Sequence, residues 1–290
     1  MALTTHYLRR SRRYSLAELG APSVGLIAAN AWVNRVVANG GATPADSTKN
    51  AIADFYNGLI ADSLLSKMLT LNCIAPDNLI AATTPLIVGP GSDPWTNNGF
   101  GGTDITVNGL GNNSHNLNTG FFGTHMLSDT NVGLTLYVNT ASPGGTYDFG
   151  YGNNSGSDTL NMSFNANGGG HAVFWCFNTT IGGGAIQSSS APGGGYLSGN
   201  RTASNAMALY FANSTNSHAS IATGSTSGGT RSAHVMLLGA LNAYESGGAF
   251  GATTNKYSFC AMHEGLTSSE SNNFYNRIQA LRTAFGGGYR

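Results

Sequence analysis

The sequence predicts a mainly β protein, an antiparallel two-layered sandwich that also carries an N-terminal helical module and a C-terminal helix. From about residue 103 onwards, short apolar runs with a period of two are separated by Gly, Asn and Ser clusters, which is typical of a sandwich or barrel. No helical pattern intervenes between these runs, which argues against a parallel α/β sheet. Helical spacing instead occurs near the two ends of the chain.

The composition is that of a folded but weakly charged protein. The 290 residues are 41% hydrophobic and 10% aromatic, whereas only 9% are charged, well below the usual quarter. Disordered chains are usually highly charged and poor in aromatic residues, so we expect a folded chain. A surface of neutral amides and hydroxyls suits dense packing beside copies of the same protein and responds little to salt.

The chain divides into four predicted parts. They are a basic N-terminal arm (1–22), a helical module that packs on the sandwich (23–88), a loop or linker (89–102), and the sandwich with its C-terminal helix (103–290, with the helix at 267–285). The start does not read as a signal peptide, because Glu18 interrupts the apolar stretch. No segment approaches the roughly 18 uninterrupted apolar residues of a membrane span, so none is expected.

Two helices are predicted in the module. Apolar residues between 23 and 39 have helical spacing, and Gly40-Gly41 ends the pattern. A second helix should begin with Thr43 as N-cap and Pro44 in the first helical position. An amphipathic stripe follows, which we expect to pack onto a sheet; its members are Ile52, Phe55, Tyr56, Leu59 and Ile60.

The terminal helix has the clearest start signal in the chain. Thr267 to Glu270 form a capping box, and apolar residues follow at helical spacing at 274, 278, 281 and 285. The strand candidates are 69–73, 105–110, 132–139, 159–165, 171–177, 206–212, 218–223, 233–241 and 256–262. In 159–165, apolar residues alternate with Asn161, Ser163 and Asn165, which predicts one buried and one solvated sheet face.

Four arginines, Arg9, Arg10, Arg12 and Arg13, lie within five residues of the N-terminal arm. We interpret them as a docking arm for a protein partner; a plain solvated tail and a nucleic-acid contact are the alternatives. Four arginines accompanied only by Tyr14 are fewer basic and aromatic residues than a nucleic-acid-binding surface usually has. Nucleic acid is therefore the least favoured partner.

The search for catalytic and metal-binding patterns predicts a protein that is not an enzyme and holds no metal or cofactor. No strand carries two acids at the spacing that would suggest paired carboxylates, and no GxSxG elbow stands out. The histidines form no HxH or HExxH motif. We interpret His263 as a capping or loop residue. Asp148 could bind a ligand hydroxyl, but a strand-end aspartate bonded to backbone amides is the favoured interpretation.

Carbohydrate recognition would use exposed aromatic rings beside Asn, Asp and Gly loops, since rings pack on the apolar face of a sugar and amides bond its hydroxyls. The candidate glycan-binding residues are Trp95, Tyr147, Asp148, Tyr151, Asn153, Asn154 and Tyr196. Asn and Gly loops with nearby aromatic residues recur throughout the chain, so the pattern alone does not single out a site.

Four segments in order carry a resemblance to a family. They are WVNRVVANGGATPADSTKNAIADFYNGL, SKMLTLNCIAPDNLIAATTPLI, the pair TYDFGYG and YLSGNRTASN, and EGLTSSESNNFYNRIQALRTAFGG. Together, over about residues 30–286, the chain resembles tailed-phage and prophage virion proteins with a concanavalin A-like (lectin/glucanase, laminin-G-type) jelly-roll domain. The resemblance implies a jelly-roll sandwich located in the virion, and the paired acids of glucanases with this fold have no match here.

Our leading hypothesis is therefore a structural surface component of a bacteriophage particle, either a capsid decoration or a tail- or fibre-associated protein, docked through its arm to other virion proteins. The alternative is a lectin-like receptor-binding protein that recognises host surface glycan. A polysaccharide hydrolase or lyase is the least favoured. By analogy, the first two hypotheses also predict homo-oligomers, with a trimer preferred.

Overall fold

The protein is a β-sandwich with a helical layer on one side. The computed structural model describes residues 22–111, 115–141, 147–152, 159–166, 170–177, 185–190, 192–225, 231, 233–243, 248–250 and 253–287. Its helices are α1 (Val24–Ala38), α2 (Asp46–Ala61), α3 (Leu79–Thr83) and α4 (Ser268–Ala284). The predicted class, a mainly β antiparallel sandwich with helices that include a C-terminal one, is confirmed, and the architecture fits a jelly roll.

The strands follow one another along the chain with short helical turns between some of them. They are β1 (Met68–Asn72), β2 (Thr96–Asn98), β3 (Ile105–Thr106), β4 (Gly109–Gly111), β5 (Asn116–Phe122), β6 (Val132–Thr140), β7 (Phe149–Gly152), β8 (Leu160–Ala166), β9 (His171–Cys176), β10 (Ala185–Gln187), β11 (Gly195–Ala203), β12 (Ala206–Ala212), β13 (Ala219–Gly224), β14 (Val235–Leu238), β15 (Leu241–Ala243), β16 (Gly248–Phe250) and β17 (Lys256–His263).

These strands form two sheets within the described residues. Sheet A has the order β13-β12-β11-β6-β17-β4-β3, and β1 also pairs with β17. Sheet B has the order β10-β9-β8-β7-β14-β5-β2, with β15 beside β7 and β16 beside β15. Their inner faces enclose one apolar core, to which β8 contributes Leu160, Met162 and Phe164. In the described parts of the chain, all the pairings are antiparallel except that of β15 with β7.

A second apolar cluster lies between sheet A and the helices. The ring of Phe259 on β17 packs edge to face against Phe55 of α2 and Phe274 of α4. The distances between ring centroids are 5.8 Å and 5.5 Å. Trp32 of α1 is buried in the same cluster. The predicted packing of the α2 stripe onto a sheet is therefore confirmed, although its last member, Ile60, is 41% exposed.

The predicted start of α4 is correct, whereas that of α2 is not. The capping box of α4 is confirmed: Thr267 Oγ1 accepts from the Glu270 amide, and Glu270 Oε2 accepts from the Thr267 amide at 2.9 Å. The predicted start of α2 is wrong, because the helix begins at Asp46. Its N-cap residue has no capping side chain, and the carboxylate of Asp77 accepts the amide hydrogen of Ala45 at 2.8 Å instead.

Several strands differ from the prediction. Residues 105–110 form part of the tight hairpin of β3 and β4 rather than one strand. The segment 89–102 contains β2, which pairs with β5, so it is part of sheet B as well as a connection. Strand β11 was not predicted, and it lies at the centre of sheet A between β6 and β12. Among the described residues, no helix is long and apolar enough to cross a membrane.

Candidate functional site

The outer face of sheet B is the candidate functional site. The outer face of sheet A is occupied, since its residues Tyr137, Phe259 and Ala261 lie under the helices. On sheet B, strands β8 and β9 send alternate residues into the core, among them Met162 and Phe174. The intervening residues of these strands therefore face outward, on the side away from the helices.

Strand β8 lines this face with polar side chains. Its outward positions continue from Thr159 through Asn161 and Ser163 to Asn165. We predicted this alternation, but the expectation of a solvated face is wrong, because Asn161 is only 2% exposed and Ser163 is fully buried. The buried Oδ1 of Asn161 and Oγ1 of Thr159 have no hydrogen-bond partner within the described structure.

An aromatic pair lies next to this polar row. Register pairs Asn161 with Trp175 on β9 and with Gly150 on β7. The Trp175 ring lies 6.3 Å from the ring of Tyr147, with an angle of 53° between the two planes. Both rings are partly exposed, and burial raises the pKa of the Tyr147 hydroxyl, which therefore stays protonated at neutral pH.

Gly150 keeps the other side of Asn161 free of a side chain. Its φ of +146° is a conformation that L side chains rarely adopt, and a Cβ placed there would collide with Asn161 and with the Leu160 carbonyl. The centre of the face therefore combines an amide, a backbone-only position and a pair of rings. Such a combination can hold a small molecule that is apolar on one side and carries hydroxyls on the other.

Three of the aromatic residues predicted to bind glycan are in the interior instead. Trp95 is 1% exposed, and Tyr151 and Tyr196 are fully buried. Trp95 and Tyr151 belong to the core between the sheets, and Tyr196 lies under α4, where its hydroxyl bonds Ser271. The hypothesis that these rings are exposed is wrong, because burial of an aromatic ring removes a large apolar surface from water.

Asp148 is also buried. It accepts hydrogen bonds from the Phe164 amide at 2.7 Å, from the Tyr257 hydroxyl at 2.6 Å, and from the Asn255 side chain. Burial raises the pKa of this carboxyl, and the hydrogen bonds counteract part of that rise. The favoured interpretation, a strand-end aspartate bonded to backbone, is confirmed, and a buried carboxylate with these partners presents no free oxygen to a sugar.

His263 is neither a cap nor a loop residue, which corrects that interpretation. It is the fully buried last residue of β17. Its Nδ1 lies 2.7 Å from the Glu264 carbonyl and its Nε2 lies 2.8 Å from Thr135 Oγ1. A carbonyl only accepts, so the neutral ring donates from Nδ1 and accepts at Nε2. Burial lowers the pKa of His263 to about 4.

The remaining predicted site residues cannot be placed. The arm residues Arg9, Arg10, Arg12 and Arg13, and the loop residues Asn153 and Asn154, lie outside the described residues. In the described parts of the chain, no group of three or more His, Cys, Asp and Glu side chains converges as metal ligands would.

Sequence reasoning missed Thr159, Asn161 and Trp175 as site residues. The signal that could have found them is strand parity, because Trp175 stands between the core residues Phe174 and Cys176 in one strand. Of the predicted glycan-binding residues, Tyr147 alone is both described and partly exposed.

The fold of this chain is similar to that of known proteins, although its sequence is not. No family model matches the sequence, and no curated protein matches it. Domain 4 of AbnA, an extracellular GH43 arabinanase from Geobacillus stearothermophilus solved with arabinotriose, matches with a TM-score of 0.50 and 14% identity, over 72% of this chain and 98% of that domain.

Two further solved structures are similar at lower scores. An arabinofuranosidase in complex with arabinofuranosyl-α-1,2-xylobiose has a TM-score of 0.42 and 11% identity, over 68% of this chain and 46% of that one. The binding domain of botulinum neurotoxin DC in complex with SialylT has a TM-score of 0.44 and 12% identity, over 74% of this chain and 52% of that one. At these identities the likeness to the arabinanase domain shows a shared β-sandwich fold.

Proposed function

We propose that the protein binds carbohydrate through the outer face of sheet B. The observation that carries this proposal is the partly exposed Tyr147–Trp175 pair on the side of the sandwich away from the helices. Sugar rings have apolar faces that stack on aromatic side chains. The Tyr147 hydroxyl, which stays protonated at neutral pH, can also hydrogen-bond a sugar hydroxyl.

The comparison supports this proposal at the level of the fold. The arabinanase domain was solved with arabinotriose, so a sandwich of this kind is compatible with a bound oligosaccharide. The outer face of sheet B is the open one in this chain, because the helices cover the outer face of sheet A.

Direct binding measurements test the proposal. A glycan array identifies ligands, and isothermal titration calorimetry then compares the wild type with Trp175→Ala, with arabinotriose as the first defined probe. We expect the variant to lose at least about fivefold in affinity, because stacking on an aromatic ring contributes on the order of 1 kcal/mol and 1.4 kcal/mol is a factor of ten. The matched control is Ile60→Ala, a partly exposed apolar residue of the helical layer. A wild type that binds no saccharide, or a Trp175→Ala variant with unchanged affinity, would overturn the proposal.

A place on a virus particle stays a prediction that rests on the resemblance. It would make the glycan-binding face a receptor-binding surface, with the arm residues docked on other virion proteins and the chain assembled as a trimer. Incorporation into particles can be measured for a chain that lacks residues 1–20. Undiminished incorporation would contradict docking through the arm. The absence of catalysis likewise stays a prediction, and turnover of a bound polysaccharide would contradict it.

A further inference from the structure

The distribution of positive charge around sheet B limits which sugars the face can accept. All the strands of sheet B, and all the segments that join them, fall within residues 96–250. This stretch contains two basic residues, Arg201 and Arg231, and five acidic ones. Its formal charge is therefore 2 − 5 = −3, although the whole chain is neutral.

Neither arginine in this stretch lies on β8 or β9. Arg201 is fully buried on β11 of sheet A and donates to the carbonyls of Cys176 at 3.1 Å and Ser204 at 2.8 Å. Arg231 is exposed and donates to the carbonyl of Met126. None of these contacts is with the outward residues of β8 or β9. An anionic sugar beside Trp175 would therefore find no arginine or lysine on these two strands to pair with its carboxylate or sulfate.

The other basic residues of the described chain belong to sheet A and the helical layer. Four of them form ion pairs: Arg35 with Asp93, Lys49 with Asp46, Lys67 with Glu270, and Arg277 with Asp62. Arg282 lies over the ring of Tyr137 at 3.6 Å, and Lys256 begins β17. The remaining five, four in the arm and Arg290, lie at the two ends of the sequence.

The acids of the same stretch add to this shortage of positive charge. Of the five, Asp148 is buried, and Asp158 and Glu245 lie outside the described residues. A negative formal charge over the stretch disfavours an anionic ligand and leaves the affinity for a neutral one unaffected.

We infer that the face on sheet B selects neutral saccharides and rejects acidic ones such as uronates, sulfated sugars and sialosides. This inference rests on the proposed function and specifies its ligand class. The affinity for a neutral sugar should come from stacking and uncharged hydrogen bonds, so it should change little with ionic strength.

Ligand pairs that differ in whether a carboxylate is free or esterified test the inference. Full-length protein is titrated with trigalacturonic acid and its methyl ester, and with 3′-sialyllactose and its methyl ester, alongside a neutral array. For each pair of which at least one member binds, we expect the affinity for the neutral member to be at least tenfold higher than that for the acidic one. Raising the salt from about 0.05 to 0.5 M should leave neutral binding within about twofold.

A designed variant provides the converse measurement. Gln187 is exposed on β10 next to β9 and faces outward, because its neighbour Ile186 is buried in the core. Gln187→Lys should raise the affinity for the acidic member of a pair several-fold and make it sensitive to salt, whereas Gln187→Leu should not. If an acidic sugar binds the wild type as tightly as its neutral partner, the inference is overturned while carbohydrate binding stands. If neither array nor titration detects any saccharide, the proposed function itself falls.

Discussion

Replacement of the buried Asn161 by leucine should stabilise the fold. Asn161 is 2% exposed, and its Oδ1 has no hydrogen-bond partner within the described structure. A buried polar atom without a partner destabilises a folded protein by about 1–3 kcal/mol. Leucine has nearly the same shape, so it removes that penalty without opening a cavity.

We therefore expect Asn161→Leu to raise the free energy of unfolding by about 1 kcal/mol, the lower end of that range because the new side chain will not fit perfectly. In a domain of this size such a gain raises Tm by about 2 °C. The measurement is urea unfolding followed by tryptophan fluorescence, with calorimetry as a second probe.

The matched control is Asn72→Leu on β1. Asn72 is also buried, at 0% exposure, but its side chain donates to the Ala82 carbonyl at 3.0 Å and accepts from the Ile74 amide at 2.8 Å. Leucine there leaves two backbone groups without partners, so we expect a loss of about 2–4 kcal/mol. If Asn161→Leu also destabilises the protein by 1 kcal/mol or more, its oxygen is satisfied in solution, for example by a bound water, and the reasoning is refuted.

Three further predictions concern the helical side. Between pH 6.5 and about 4, His263 is protonated in the unfolded state but stays neutral in the folded state, because burial lowers its pKa to about 4. The free energy of unfolding should therefore fall by roughly 3 kcal/mol as the pH is lowered across this window. His263→Gln should reduce this pH dependence in urea titrations at several pH values, and an unchanged dependence would contradict the assignment. Thr267→Ala should lower the unfolding free energy by about 1 kcal/mol through loss of the α4 cap, whereas Thr267→Ser should be nearly neutral, and equal losses in both would exclude capping as the cause. Phe274→Ala should destabilise by about 3–5 kcal/mol, because the ring is fully buried against sheet A; a loss below about 1 kcal/mol would mean that α4 contributes little to the fold.

Local signals were enough to predict much of the fold. The capping box and apolar spacing of α4 lie within twenty residues of one another, so no tertiary information is needed to recognise them. The period-two runs identified most strands of the sandwich for the same reason. The start of α2 was placed too early because the N-cap residue, Ala45, has no capping side chain. The Ala45 amide bonds instead to Asp77, some thirty residues away in sequence.

The sequence analysis missed strand β11 because only tertiary contacts account for the polar and small residues in it. Ser198 bonds Thr135 at 2.8 Å, and the Oδ1 of Asn200 accepts the Leu266 amide at 2.8 Å. At Gly199 a Cβ would collide with the ring of Phe174 across the core. A sequence pattern shows none of these contacts, so the strand resembles a loop.

The candidate site was the least predictable part. Which aromatic rings are exposed depends on the sheet face that each one occupies and on what covers that face. Tyr196 points outward from sheet A, but α4 covers it. Trp175 points outward from sheet B, away from the helices. This distinction requires the layer order, which the sequence does not reveal.

The position of β17 has a consequence for biosynthesis. This strand pairs with β6 along one edge and with both β1 and β4 along the other. During translation, the edge of β1 that pairs with β17 therefore stays open for 256 − 72 = 184 residues, and that of β6 for 256 − 140 = 116 residues. Open strand edges are templates for aggregation. Release of the nascent chain past residue 263 allows β17 to insert, and α4 then covers the seam. A premature stop before this point should yield insoluble product rather than a smaller folded domain.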